Sequence, residues 1–148
     1  MTDVFEAATG DGPVADVSPR AAELRAAEVR AALDGLLQIR RVTNTAPAAW
    51  ELKQMVRAVA LVLEAAGQPP SAVDASGART ATGYRVRAAD SAGMVCVDWL
   101  GPPGGGAARE EESRLAECAS ALAALGWEAL MYRGPRKRRF LEVERARA

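Results

Sequence analysis

The apolar residues of this chain change period at about residue 67, and that change decides which folds are open to it. Before it, Leu52, Val56, Val59, Leu63 and Ala66 recur at spacings of four, three, four and three, with Met55 and Val62 widening the stripe. This is the pattern of one face of a helix. After residue 82 the period is two. Tyr84, Val86 and Ala88 alternate with Arg85 and Arg87, and after a turn at 91–93, Val95, Val97 and Trp99 alternate with Met94, Cys96, Asp98 and Leu100. Helices that come first and hairpins that follow point to an α+β domain, in which helices cover an antiparallel sheet.

Punctuation residues give the boundaries. Ser18 before Pro19 is a helix start, because a serine oxygen caps free amides and proline at the first position has no amide to lose. A first helix is expected over 19–42, its large apolar residues thickening toward the C-terminal half. Asn44, Thr45 and Pro47 repeat the signal, and a second helix is expected over 47–66, stopped by Gly67 and the Pro69–Pro70 pair. Residues 67–82 read as a connector. The GPPGGG stretch at 101–106 reads as a flexible loop, and a third helix with the stripe Leu115, Cys118, Ala119, Leu122 and Leu125 follows it to Gly126. The remainder reads as a second hairpin that turns at 134–137.

The expected order is therefore α-α-β-β-α-β-β. Two hairpins, 83–100 and 127–144, would form one antiparallel sheet covered by helices in a two-layer sandwich. The αββαββ part is what a circular permutation of a βαββαβ order gives. Residues 18–148 are expected as a single α+β domain, with the 19–42 helix lying outside the repeat and semi-independent of it. Residues 1–17 carry Asp3, Glu6, Asp11 and Asp16 and no base. Nothing periodic would bury them, so a disordered acidic tail is expected.

At 148 residues, with 49% hydrophobic and 26% charged residues, the chain has the size and balance of one ordinary globular domain. Aromatic residues make up only 5%, so each tryptophan matters to the core. No stretch approaches the roughly 18 apolar residues that a membrane span needs, and no membrane partner is expected. The start has no basic region and no apolar run, so the reading is cytoplasmic, with Cys96 and Cys118 reduced.

The strongest chemical statement is that the chain has no histidine. This removes serine–histidine and cysteine–histidine nucleophiles, along with the commonest neutral-pH proton carrier and metal ligand. Two cysteines separated by 21 intervening residues do not make a zinc site without carboxylates as half its ligands. Both read as small buried hydrophobes. Gly104–Gly106 precede a helix, but three glutamates follow and would repel an anion, so the glycines read as a linker. Glu110, Glu111 and Glu112 read as a solvated cap that suits the helix dipole. Asp98 reads as the polar face of a half-exposed strand. No catalytic residue, metal or cofactor is expected, and the chain reads as a binding module rather than an enzyme.

The positive signal is MYRGPRKRRFLEV. The net charge is zero overall, yet residues 133–148 hold seven bases against two acids. Arg133, Arg136, Lys137, Arg138 and Arg139 cluster at a hairpin tip between Tyr132 and Phe140, and Arg85 and Arg87 on the other hairpin would extend the patch if the strands adjoin. Arginine forks bind phosphate, so nucleic acid is the first partner expected. The bias of 17 arginines against Lys53 and Lys137, in an Ala- and Gly-rich chain, is also what a high-G+C bacterial genome produces, so arginine abundance alone says little. The alternative is a protein partner or a second copy of the chain, recruited through the first helix and the sheet.

Overall fold

The computed structural model describes residues 5–15 and 18–147. Helix α1 runs Pro19–Thr43. Ser18 Oγ accepts the Ala21 N–H at 3.3 Å, and Asn44 ends the helix in the left-handed region (φ 54°), its N–H returning to the Arg40 carbonyl. The helix expected over 47–66 is two helices, α2 (Ala49–Lys53) and α3 (Met55–Ala65), separated by Gln54 at φ −129°, ψ 49°. The break lets each part face its own target. Glu51 of α2 is buried and accepts from Ala48 N–H and from Arg40 on α1, whereas Met55, Val59, Val62 and Leu63 of α3 lie in the main core.

The connector holds structure that its sequence does not announce. Strands β1 (Ala72–Val73) and β2 (Arg79–Ala81) form a small antiparallel hairpin. Its turn is held by Asp74, whose Oδ1 accepts from Ser76 N–H, Ser76 Oγ and Ala78 N–H. Strands of two and three residues are too short to show a period.

The main sheet consists of β3 (Gly83–Ala88), β4 (Val95–Leu100), β5 (Trp127–Arg133) and β6 (Arg139–Arg145), in the order β3-β4-β6-β5. All neighbours are antiparallel. β4 and β5 therefore run parallel, joined by helix α4 (Ala107–Ala124), with β6 inserted between them. This is a split β-α-β arrangement, with a strand from one hairpin lying between two parallel strands.

One face of the sheet is covered by α3 and α4. Tyr84, Val86, Val97, Trp99, Leu141, Val143 and Trp127 meet Val59, Leu63, Leu115, Cys118 and Leu122 in a core whose members are almost wholly inaccessible. The α+β sandwich expected from the sequence is present. Helix α1 lies on the far side of α3, where Val29 and Leu36 enclose Leu61 together with Phe5 and Trp50. It is tied down at both ends. Arg25 bonds Glu64 at 2.7 Å, and Arg40 bonds Glu51 at 2.7 Å while its Nη1 donates to the Leu125 carbonyl. The expected semi-independent helix is an integral layer of the domain.

The expected disordered tail is also corrected for residues 5–15. The Thr9 carbonyl accepts Val86 N–H at 2.8 Å, the Gly12 carbonyl accepts Val73 N–H at 2.9 Å, and the Ala8 carbonyl accepts the Tyr84 hydroxyl at 2.7 Å. Arg79 reaches across to the Gly10 carbonyl and to Asp11. Residues 1–4, 16 and 17 of that expected tail lie outside the described residues. Among the described residues, no helix is long and apolar enough to cross a membrane.

Candidate binding surface

Pleating sends alternate residues of each strand to opposite faces of the sheet. With Tyr84, Val86, Val97, Trp99, Leu141 and Val143 turned toward the helices, the outer face is built by their neighbours. The register places Arg85, Asp98, Phe140 and Tyr132 in one row across the four strands, and Arg87, Cys96, Glu142 and Leu130 in the next. The two arginines expected to extend the basic patch therefore do lie on the same face as the β5–β6 hairpin.

They do not, however, add free charge to it. Arg85 and Arg87 both bond Asp98 Oδ2 at 2.8 Å. This contact raises the Arg87 guanidinium above its ordinary value, and it leaves the Asp98 carboxylate between two guanidinium groups. At the hairpin tip, Arg138 bonds Glu111 at 2.9 Å and donates to the Trp99 carbonyl at 2.8 Å. Arg139 bonds Glu112 at 3.1 Å, and its N–H donates to Glu111 at 2.7 Å. Of the seven bases expected to bind nucleic acid, these four are held by acids of the chain itself.

The acids at 110–112 thus do more than cap α4. Glu111 is buried and Glu110 accepts the Trp99 indole N–H at 3.0 Å, so two of the three carboxylates clamp the β5–β6 hairpin and the third holds the core edge. An acidic run three residues long, 28 residues from a basic run, was the available signal. Nothing local distinguishes it from a solvated cap.

Arg133, Arg136 and Lys137 remain exposed and make no ion pair among the described residues. Arg136 and Lys137 sit in a short 3-10 turn with φ of 62° and 60°, a region that side chains with a Cβ seldom occupy. The turn is closed by Gly134 N–H donating to the Arg138 carbonyl at 2.7 Å. Both side chains are exposed to solvent. Beside them, the Tyr132 and Phe140 rings stand 6.0 Å apart at 31°, and the Arg87 guanidinium lies 5.9 Å from the Phe140 ring. Tyr132 is 44% exposed, a large value for an aromatic side chain on a folded sheet.

Neither cysteine is placed for chemistry. Cys96 is covered by its outer-face neighbours and Cys118 lies in the core. Burial pushes both thiols up, Cys118 to about 12, which opposes thiolate formation. A groove of about 550 Å³ runs between residues 6–15 and the Pro69–Ala72 segment. Its walls are mainly apolar, and its Arg25 and Glu64 are bonded to each other. Among the described residues, no three acidic or cysteine side chains converge as metal ligands.

No protein-family model matches the chain, and neither a curated protein nor a solved structure matches it.

Proposed function

We propose that this chain is a non-enzymatic binding module that takes a single-stranded nucleic acid on the open face of its sheet, at the β5–β6 end. The observation that carries this reading is the Tyr132–Phe140 pair, Tyr132 exposed and Phe140 half-buried, beside the unpaired Arg136 and Lys137 of the hairpin tip; Arg133, next to Tyr132 in the strand, lies on the opposite face. A flat aromatic pair on an uncovered sheet is a stacking platform for unpaired bases, and cations at its border suit the phosphates that link them. A duplex, whose bases are already stacked, makes less use of the rings. The four acid-held arginines serve this reading as scaffold, since they fix the tip against α4 and the sheet.

The test is fluorescence anisotropy of labelled single-stranded and duplex oligonucleotides with the full chain. Two phosphate contacts, at Arg136 and Lys137, predict that log K falls with log salt with a slope of about −1.4 for a single strand. Tyr132→Ala is expected to weaken binding by about 1–3 kcal/mol, and Arg136→Glu with Lys137→Glu is expected to abolish it at moderate salt. Binding that survives both changes, or that shows no salt slope, would overturn the reading.

A further inference from the structure

The two outer strands of the sheet differ in what lies beyond them. The free side of β3 is occupied by Thr9 and by residues 69–71, whereas no described residue hydrogen-bonds to the free side of β5. The direction of the β5 main-chain groups follows from two bonds at the ends of its ladder with β6. Gly134 N–H donates to Arg138, and Ala146 N–H donates to Gly126. Antiparallel ladders alternate, so residues 128, 130 and 132 also bond inward. The N–H and C=O groups of Trp127, Ala129, Met131 and Arg133 therefore point away from the sheet. Several of the usual devices that blunt an edge are missing: β5 has no proline, no lysine and no break in register along its seven residues, and its charges, Glu128 and Arg133, lie toward its ends.

We propose that two copies of the chain pair through β5 about a two-fold axis, joining their sheets into one of eight strands. The strand is complementary to itself in three ways. Its middle, Ala129-Leu130-Met131, is apolar, with Leu130 48% and Met131 36% exposed. Its ends are opposite in charge: Glu128, with Glu144 across from it on β6, lies at one end, and Arg133, followed by Arg136 and Lys137, lies at the other. Antiparallel self-pairing brings the acidic end of each copy to the basic end of the other, with Glu128 across from Tyr132 and Arg133 the next residue along the strand. Finally, a two-fold axis through Leu130 sets the outward groups of residue 127 against those of 133, and 129 against 131. This register satisfies them with about eight main-chain hydrogen bonds. The alternative centred on Met131 leaves the outward groups of Trp127 without a strand partner. Because the β3 edge is occupied, addition stops at two copies and no open array forms. The dimer does not depend on what the outer face binds.

Light scattering of the full chain is expected to give twice the 15.6 kDa mass of one copy, with a smaller mass on dilution. Leu130 would face its own copy at a non-hydrogen-bonded pair, where Cα atoms approach to about 4.5 Å. Leu130→Cys should therefore form an intersubunit disulfide under mild oxidation, while Val42→Cys, on exposed α1, should not. Leu130→Lys places like charges across the axis, and Met131→Pro removes an outward N–H. Each is expected to weaken the dimer at least about tenfold. Circular dichroism shows which variants are folded, and if Met131→Pro is not, Leu130→Lys decides. A single-copy mass at the solubility limit overturns the proposal. So does a dimer untouched by Leu130→Lys, or a Leu130→Cys chain that cross-links no faster than the α1 control.

Discussion

The two edges of the main sheet show how unevenly one chain protects its backbone. At β3 the chain contributes two separate segments to the free side. Thr9 accepts from Val86, Pro69 accepts from Tyr84 at 2.9 Å, and Tyr84 in turn accepts from Ser71 at 2.9 Å. The approach is so close that there is no room for a side chain at Gly10, against Tyr84 and Arg85, or at Gly83, against residues 69–71. Gly10 also adopts φ 98°, which glycine tolerates and other residues resist. At β5 nothing comparable happens among the described residues: no residue bonds to the outward groups, and the exposed side chains at the middle of the strand, Leu130 and Met131, are large and apolar. Closing one edge from within leaves the other as the place where a further strand can add.

The comparison is most directly broken by substituting proline on both edges. Val86→Pro removes a donor that Thr9 needs and takes a buried side chain out of the core. It is expected to destabilise by about 3 kcal/mol, which thermal denaturation would show as a fall of roughly 10 °C. A loss as small as that of the same change on β5 would mean that the cover over β3 contributes nothing.

Alkaline pH probes the same edge. Tyr84 is fully buried beneath residues 8–12, and burial holds its phenol well above the usual range. In the unfolded chain this group loses its proton near pH 10, while the folded chain retains it. Its contribution is therefore complete below that pH, and stability falls as pH rises above it, by up to about 1.4 kcal/mol per unit. Tyr84→Phe should remove that part of the slope in urea titrations at successive pH values. At neutral pH the same variant should cost about 1 kcal/mol, for the lost bond to the Ala8 carbonyl.

The smallest effects belong to β5. Leu130→Lys is expected to change the stability of the single subunit by no more than about 0.5 kcal/mol, because the side chain already faces solvent. Met131→Pro should cost less than about 1 kcal/mol, since proline is tolerated where the lost N–H faces solvent. Both are to be measured by denaturant titration at a concentration where the chain is a single copy.

Much of this architecture is written in local patterns. The period of Leu52 to Ala66, the alternation of Tyr84 to Ala88 and the stops at Gly67 and Gly126 mark helices and strands, because burial of one face imposes its own spacing. What escapes is held by other means. Residues 8–12 attach through the carbonyls of Ala8, Thr9, Gly10 and Gly12, and a main-chain carbonyl leaves no trace in the identity of its residue. The break at Gln54 follows from Glu51 answering to Arg40, which lies on another helix. The insertion of β6 between β4 and β5 is a long-range choice that no short window records. For the binding surface, the exposed tip of Arg136 and Lys137 is legible as charge beside Gly134 and Pro135. The neutralisation of Arg138 and Arg139 is not, because Glu111 and Glu112 reach them only through the packing of α4 on the sheet.

The Arg40–Glu51 bond has a consequence for how the molecule comes apart. Lifting α1 away would take the Arg40 guanidinium from the buried Glu51 carboxylate and from the Leu125 carbonyl at once, in addition to the apolar contacts of Val29 and Leu36. The first helix therefore works as a latch that opens only when the whole body opens. Amides around Leu36 should exchange their hydrogens through the same global event as those of the central strands, and not through local fraying.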